Sequence, residues 1–143
     1  MRLYREGKGD IIARSPAKAK AVLDQYQNIL SPRDLAYERL LLDGTRATRA
    51  SDYARIAAAY RELPADQRAQ FLVSLRRPMP NLYVAILQNE LKSSGIYAGP
   101  VSGLLTQPTL AAIAKFCKQN DVAAACQGGP LSQPAAQAIS RYL

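Results

Sequence analysis

The chain has no histidine and no tryptophan, and only two cysteines. Without His there is no Ser-His-Asp triad, no Cys-His nucleophile pair and no ordinary His-ligated zinc. Cys117 and Cys126, with no His to complete a ligand set, lack a structural-zinc pattern. No stretch approaches the ~20 apolar residues of a membrane-spanning helix. Met1–Asp10 lacks the apolar run of a secretory signal, which leaves a cytoplasmic chain or a mature form whose signal has been removed. There is no Gly-rich loop to cradle phosphates and no long Lys/Arg run. Neither a cofactor nor a metal is expected, and nucleic acid is not an expected partner.

What is present favours helices. The 143 residues suffice for one ordinary domain or two small ones, and 48% are hydrophobic, enough for a proper core. Ala and Leu dominate, and strong helix formers outnumber β-branched residues. The formal charge of +8 suits an anionic partner, whether nucleic acid, acidic membrane or wall polymer, although the charges are scattered. Glycan cleavage needs only carboxylates, and Glu38, Glu62 and Glu90 qualify by type. Each falls on a predicted helix among polar or charged neighbours, which reads as a solvated face. The chain is therefore expected to be non-enzymatic.

The cysteines allow two readings. They are either unrelated buried thiols in a reducing compartment, or a disulfide clamping the loop after a helix. An even pair inside one short loop favours the disulfide Cys117–Cys126 and, with it, the periplasm or cell envelope.

Helix punctuation is legible along the chain. Ser15-Pro16 and Ser31-Pro32 each set a capping hydroxyl before a proline at the first helical position. The first opens a run with Val22, Leu23, Tyr26, Ile29 and Leu30; the second opens Pro32–Asp43, with Gly44 as its stop. A third helix is predicted from Ser51-Asp52 and a fourth across Ala65–Arg76. Pro78-Met79-Pro80 then breaks the pattern. The resulting division is an N-terminal segment over 1–15, a helical domain of hairpins over 16–77, a short stiff link at 78–81, and a second domain over 82–143. In the second domain Asn81 is the expected cap of a helix through Lys92, which Gly95 ends, and Thr106-Gln107-Pro108 opens the next.

One internal repeat appears. Leu105-Thr106-Gln107-Pro108, leading to Ala112-Ile113 and Lys115-Phe116, returns as Leu131-Ser132-Gln133-Pro134, leading to Ala138-Ile139 and Arg141-Tyr142. Each copy reads as a capped helix with its Ile and aromatic on one face, entering the same small core.

The second domain also carries an ordered series of short motifs. Leu87-Gln88-Asn89-Glu90-Leu91 leads to Gly95-Ile96-Tyr97 and Gly99-Pro100-Val101; Ser102-Gly103-Leu104-Leu105-Thr106 follows, then Thr109, Ala112-Ile113 and Phe116. This run resembles the peptidoglycan-binding domain family: Leu-Gln-x-x-Leu, Gly-Tyr, a Gly/Pro turn, Asp-Gly-x-Phe-Gly, Thr-x-x-Ala-Val-x-x-Phe-Gln and a third capped helix. The register holds without a gap from Leu87 to Phe116, and Gly129-Pro130-Leu131-Ser132 matches the family's end. The resemblance covers less than half of the chain. Ser102 stands where the family has Asp, Leu105 replaces Phe as an apolar plug, Thr106 replaces Gly, and Cys117 replaces Gln. A positive φ at Thr106 would be strained.

Composition and punctuation predict an all-α protein with N-terminal helical hairpins, and the resemblance implies that a small three-helix bundle follows them. It further implies a ligand of wall sugars bearing short peptides. Tyr97 would supply an aromatic face, and Ser102, Thr106 and Gln107 the hydrogen bonds, with the helix-start amides facing a stem-peptide carboxylate. The expectation is a non-catalytic, peptidoglycan-binding envelope module. The alternative is an interaction subunit of an envelope assembly that uses the same fold to dock another protein.

Overall fold

The structure, a computed structural model, describes Lys20, Ala21 and residues 31–143. Among the described residues it is all-α, with no strand. The helices are α1 (Pro32–Gly44), α2 (Ala50–Arg61), α3 (Ala65–Leu75), α4 (Pro80–Ser93), α5 (Gln107–Gln119), α6 (Ala123–Cys126) and α7 (Gln133–Ser140). The helix expected from Ser15-Pro16 lies outside the described residues, apart from the helical pair Lys20 and Ala21.

Helix starts follow local chemistry. The Ser31 hydroxyl accepts from the Asp34 amide at 3.1 Å, and the Ser132 hydroxyl from the Ala135 amide at 3.3 Å. At α2 the Asp52 carboxylate reaches back to accept from the Thr48 and Arg49 amides, both at 3.1 Å. Those two amides hold the Asp52 carboxyl below the usual carboxylate range. The start of α4 corrects the expectation at Asn81. A residue before proline is pushed away from the helical region, so Met79 (φ −133°, ψ 64°) stays outside and Pro80 becomes the first helical residue. Asn81 therefore lies within the first turn.

Helix ends are set by backbone handedness and close packing. Gly95 adopts φ +80°, and the Ile96 amide returns to the Leu91 carbonyl at 2.9 Å, closing α4 in a Schellman turn. At the end of α5 Asp121 takes the same conformation (φ 58°), with the Val122 amide on the Cys117 carbonyl at 2.9 Å. That reversal leads into α6 and brings Cys126 back to Cys117. Helix α1 stops at Gly44, as expected, but without the left-handed conformation that ends α4. Gly44 is the last residue of α1, and a Cβ there would stand 2.9 Å from Leu82 Cδ2. It is glycine because α1 ends against the first turn of α4.

The centre of the molecule is α4. Every residue from Leu82 to Gln88 is buried, because α2, α3 and α5 all pack on this helix. A helix apolar on all sides needs such enclosure. The turn at Pro78-Met79-Pro80 keeps backbone continuity, with the Met79 amide on the Leu75 carbonyl at 2.9 Å and the Tyr83 amide on the Met79 carbonyl at 3.0 Å. Buried side chains on both sides of it belong to one cluster, from Tyr37 and Phe71 to Phe116 and Ile139. Arg61 of α2 grips Glu90 of α4 with two bonds of 2.9 and 3.0 Å. Helix α7 packs on α3, and the Tyr83 hydroxyl donates to the Pro130 carbonyl at 2.9 Å in the turn that precedes α7. The repeat pair diverges at its ends: Phe116 is buried, whereas Tyr142 lies past the end of α7 and is half exposed.

Candidate functional site

The segment that carries the family resemblance is organised by one buried amide. Gln88 occupies the apolar face of α4, one turn after Val84 and just before Leu91, and is fully buried. Its Oε1 accepts from the Ser102 and Gly103 amides at 3.0 and 2.9 Å. Its Nε2 donates to the Leu104 carbonyl at 3.0 Å and the Thr109 Oγ1 at 2.9 Å. Both ends of the side chain are thus satisfied, as a buried amide requires. Thr109, also fully buried, shares a further hydroxyl contact of 3.0 Å with Thr106. Gln88 and Thr109 received no site role from the sequence. The available signal was a lone amide in register with the apolar face of α4.

The loop between α4 and α5 is pinned from the other side as well. Gly103 has φ +79°, and a Cβ there would lie 2.8 Å from the Asn81 carbonyl oxygen and 3.1 Å from Tyr53 Cε2. The positive φ falls on Gly103. Thr106 has φ −89° and is unstrained. Ser102 retains a bracing role without the carboxylate, its Oγ accepting from the Leu104 amide at 3.2 Å.

The four residues expected to bind ligand are placed unequally. Tyr97 is buried, and its hydroxyl donates to the Pro100 carbonyl at 2.8 Å, so its ring packs the loop. Ser102 is half-buried with its hydroxyl turned to the loop backbone. Thr106 and Gln107 are exposed at the start of α5. Leu105 is 37% exposed, where a core plug was expected, and Leu104 beside it is 58% exposed. Leu105 precedes the capping position of α5 and stands in register with Leu110, the spacing of a hydrophobic staple on the helix surface.

A surface groove of about 320 Å³ runs along α5 to the turn before α7, lined by Leu110, Ile113, Ala114, Cys117, Cys126 and Pro130 among others. The sulfurs of Cys117 and Cys126 lie at disulfide distance, with Cα atoms 6.6 Å apart. The carboxylates considered for glycan chemistry are not uniformly solvated. Glu38 is buried, and the Glu90 side chain is 12% exposed and held by Arg61; Glu62 alone is exposed. Among the described residues no three His, Cys, Asp or Glu side chains gather as metal ligands, and no helix is long and apolar enough to cross a membrane.

Comparison with known proteins finds no matching family model, no matching curated protein and no matching solved structure.

Proposed function

We propose that the chain is a non-catalytic binding module of the cell envelope whose C-terminal part recognises peptidoglycan. The observation that carries this reading is the meeting of the motif positions Ser102, Gly103, Leu104 and Thr109 on the single amide of Gln88. That hub makes a stiff loop-to-helix junction with Thr106 and Gln107 on its outer face. Their side chains suit sugar hydroxyls and acetamido groups, and the first-turn amides of α5 suit a stem-peptide carboxylate. The charge of +8 adds a salt-sensitive attraction to anionic wall material. The absence of His and the Arg61 grip on Glu90 support a non-enzymatic role. The paired cysteines fit an oxidising compartment such as the periplasm.

A second reading, an interaction subunit of an envelope assembly, has the apolar groove along α5 in its favour. Sedimentation of the full chain with purified, lipid-free sacculi at low and moderate salt separates the two. Wall binding predicts retention above a control protein of equal charge, weakened roughly tenfold by joint Thr106→Ala and Gln107→Ala substitution, as expected for about two lost hydrogen bonds. No retention above the control would sink the wall reading.

A further inference from the structure

Two loops distant in sequence reach the surface at the same end of α4. The turn between α1 and α2 begins at Gly44, which is packed against Leu82. The loop between α4 and α5 is fixed there by Gly103, packed against the Asn81 carbonyl and the Tyr53 ring. The first of these segments carries the exposed Arg46 and Arg49, one turn before Tyr53. The second carries the exposed Leu104 and Leu105, with Leu110 beyond them at the staple position. Arg77, also exposed, lies in the turn that enters α4. Of the acids nearby, Asp43 pairs with Arg55, and Asp52 caps α2, adjoins Arg55 and also interacts electrostatically with Arg49. Among the described residues Arg46, Arg49 and Arg77 form no salt bridge. The loops meeting at this end of α4 therefore combine exposed leucines with three guanidinium groups outside any salt bridge.

We propose that this end docks on an anionic lipid surface, with Leu104 and Leu105 entering the interface and Arg46, Arg49 and Arg77 meeting headgroup phosphates. Three features select a bilayer over other anions. The leucines are exposed, Leu104 by 58% and Leu105 by 37%, and leucine side chains gain on entering acyl material. Their loop is held by Gln88 at Ser102, Gly103 and Leu104, so little ordering accompanies insertion. Arginines beside an apolar tip add attraction to an anionic leaflet that fades within a Debye length. Two side chains and three charges make a weak, reversible contact, compatible with wall binding from the same junction. The inference does not depend on wall binding, because vesicles contain no wall and sacculi contain no lipid.

The test uses the full chain with vesicles of phosphatidylglycerol and phosphatidylethanolamine, against vesicles of phosphatidylcholine. Flotation with the anionic vesicles at low salt and release at high salt are expected. Joint Leu104→Ser and Leu105→Ser substitution should weaken binding by about tenfold while the far-UV helical signal is retained. Because the chain has no Trp, Leu104→Trp supplies a single reporter, whose emission should shift to the blue on anionic vesicles only. Binding that survives loss of both leucines, or an indole emission from the Leu104→Trp variant that stays water-like on vesicles, would overturn the proposal. Failure of the full chain to float at low salt overturns it equally and leaves the leucines to a protein partner.

Discussion

Gln88 and Thr109 meet across the seam between α4 and α5, the Gln88 amide donating to the Thr109 hydroxyl oxygen at 2.9 Å with both side chains fully buried. The same amide holds three consecutive residues of the loop joining these helices. Gln88→Leu keeps the volume but strands the Ser102 and Gly103 amides and the Leu104 carbonyl. A loss of about 3 kcal/mol is expected, since each buried polar group left unpaired costs roughly 1–3 kcal/mol and the exposed side of the loop recovers part of it through water. Urea denaturation measures it; a loss below about 1 kcal/mol would show that the loop does not depend on this hub.

Three positions with positive φ should respond in different ways. Gly95→Ala meets open space and costs only the left-handed conformation, about 1 kcal/mol. Gly103→Ala adds a clash with the Asn81 carbonyl and should cost at least twice as much. Asp121→Gly relieves a non-glycine residue at φ 58° and should stabilise by about 0.5–1 kcal/mol. The ordering of the three Tm shifts is the check.

The Cys117–Cys126 pair closes a short loop, for which chain entropy predicts about 2–3 kcal/mol of stabilisation. Joint Cys117→Ala and Cys126→Ser substitution should lower the urea midpoint accordingly. Added dithiothreitol should then lower it no further. A midpoint that is the same with and without reductant in the unsubstituted chain would rule out a bond that contributes to stability.

Tyr60 and Tyr83 are fully buried, and burial pushes both phenols well above their ordinary value. For a group raised on folding, the stabilisation is complete below the unfolded pKa near 10 and is lost as pH climbs toward the folded value. Stability should therefore fall above about pH 10, by up to ~1.4 kcal/mol per pH unit for each phenol. Absorbance titration should show these two ionising only with unfolding. The pair differs in partners: the Tyr60 hydroxyl is buried without a hydrogen bond, and Tyr83 donates to Pro130. Tyr60→Phe should be neutral or stabilising, whereas Tyr83→Phe should cost about 1 kcal/mol.

A chain reduced to residues 82–143 should fail to fold. It would uncover the side of α4 that α2 and α3 enclose, at roughly 1.5–3 kcal/mol for each large apolar side chain exposed. Dispersed amide resonances from that fragment would disprove this.

Much of the fold was legible because its signals are local. A serine before a proline caps a helix through atoms three residues away, so Ser31 and Ser132 could be placed from sequence, as could Gly95 at the end of α4. Asn81 was misplaced although its signal was present, since proline is a good first helical residue as well as a breaker. The helix stop at Gly44 was legible, but its packing against Leu82 and the exposure of Leu105 were not, because each depends on neighbours outside the local sequence. Glu38 was likewise read as part of a solvated face and yet is buried, with Tyr37, Leu40 and Leu41 around it in the chain also buried.

The sequence by itself determined the helical class, the apolar and basic character, the capping grammar and the absence of histidine chemistry. These depend on residue type and on contacts within one turn. Only the tertiary structure decided that α4 is enclosed on every side from Leu82 to Gln88, that Gln88 is the hub of its loop, and that Tyr97 faces inward. It also decided that Arg46, Arg49 and Arg77 share one end with Leu104 and Leu105. These relationships join residues up to roughly sixty positions apart, and hydrophobic periodicity records that a side chain is buried without recording what buries it.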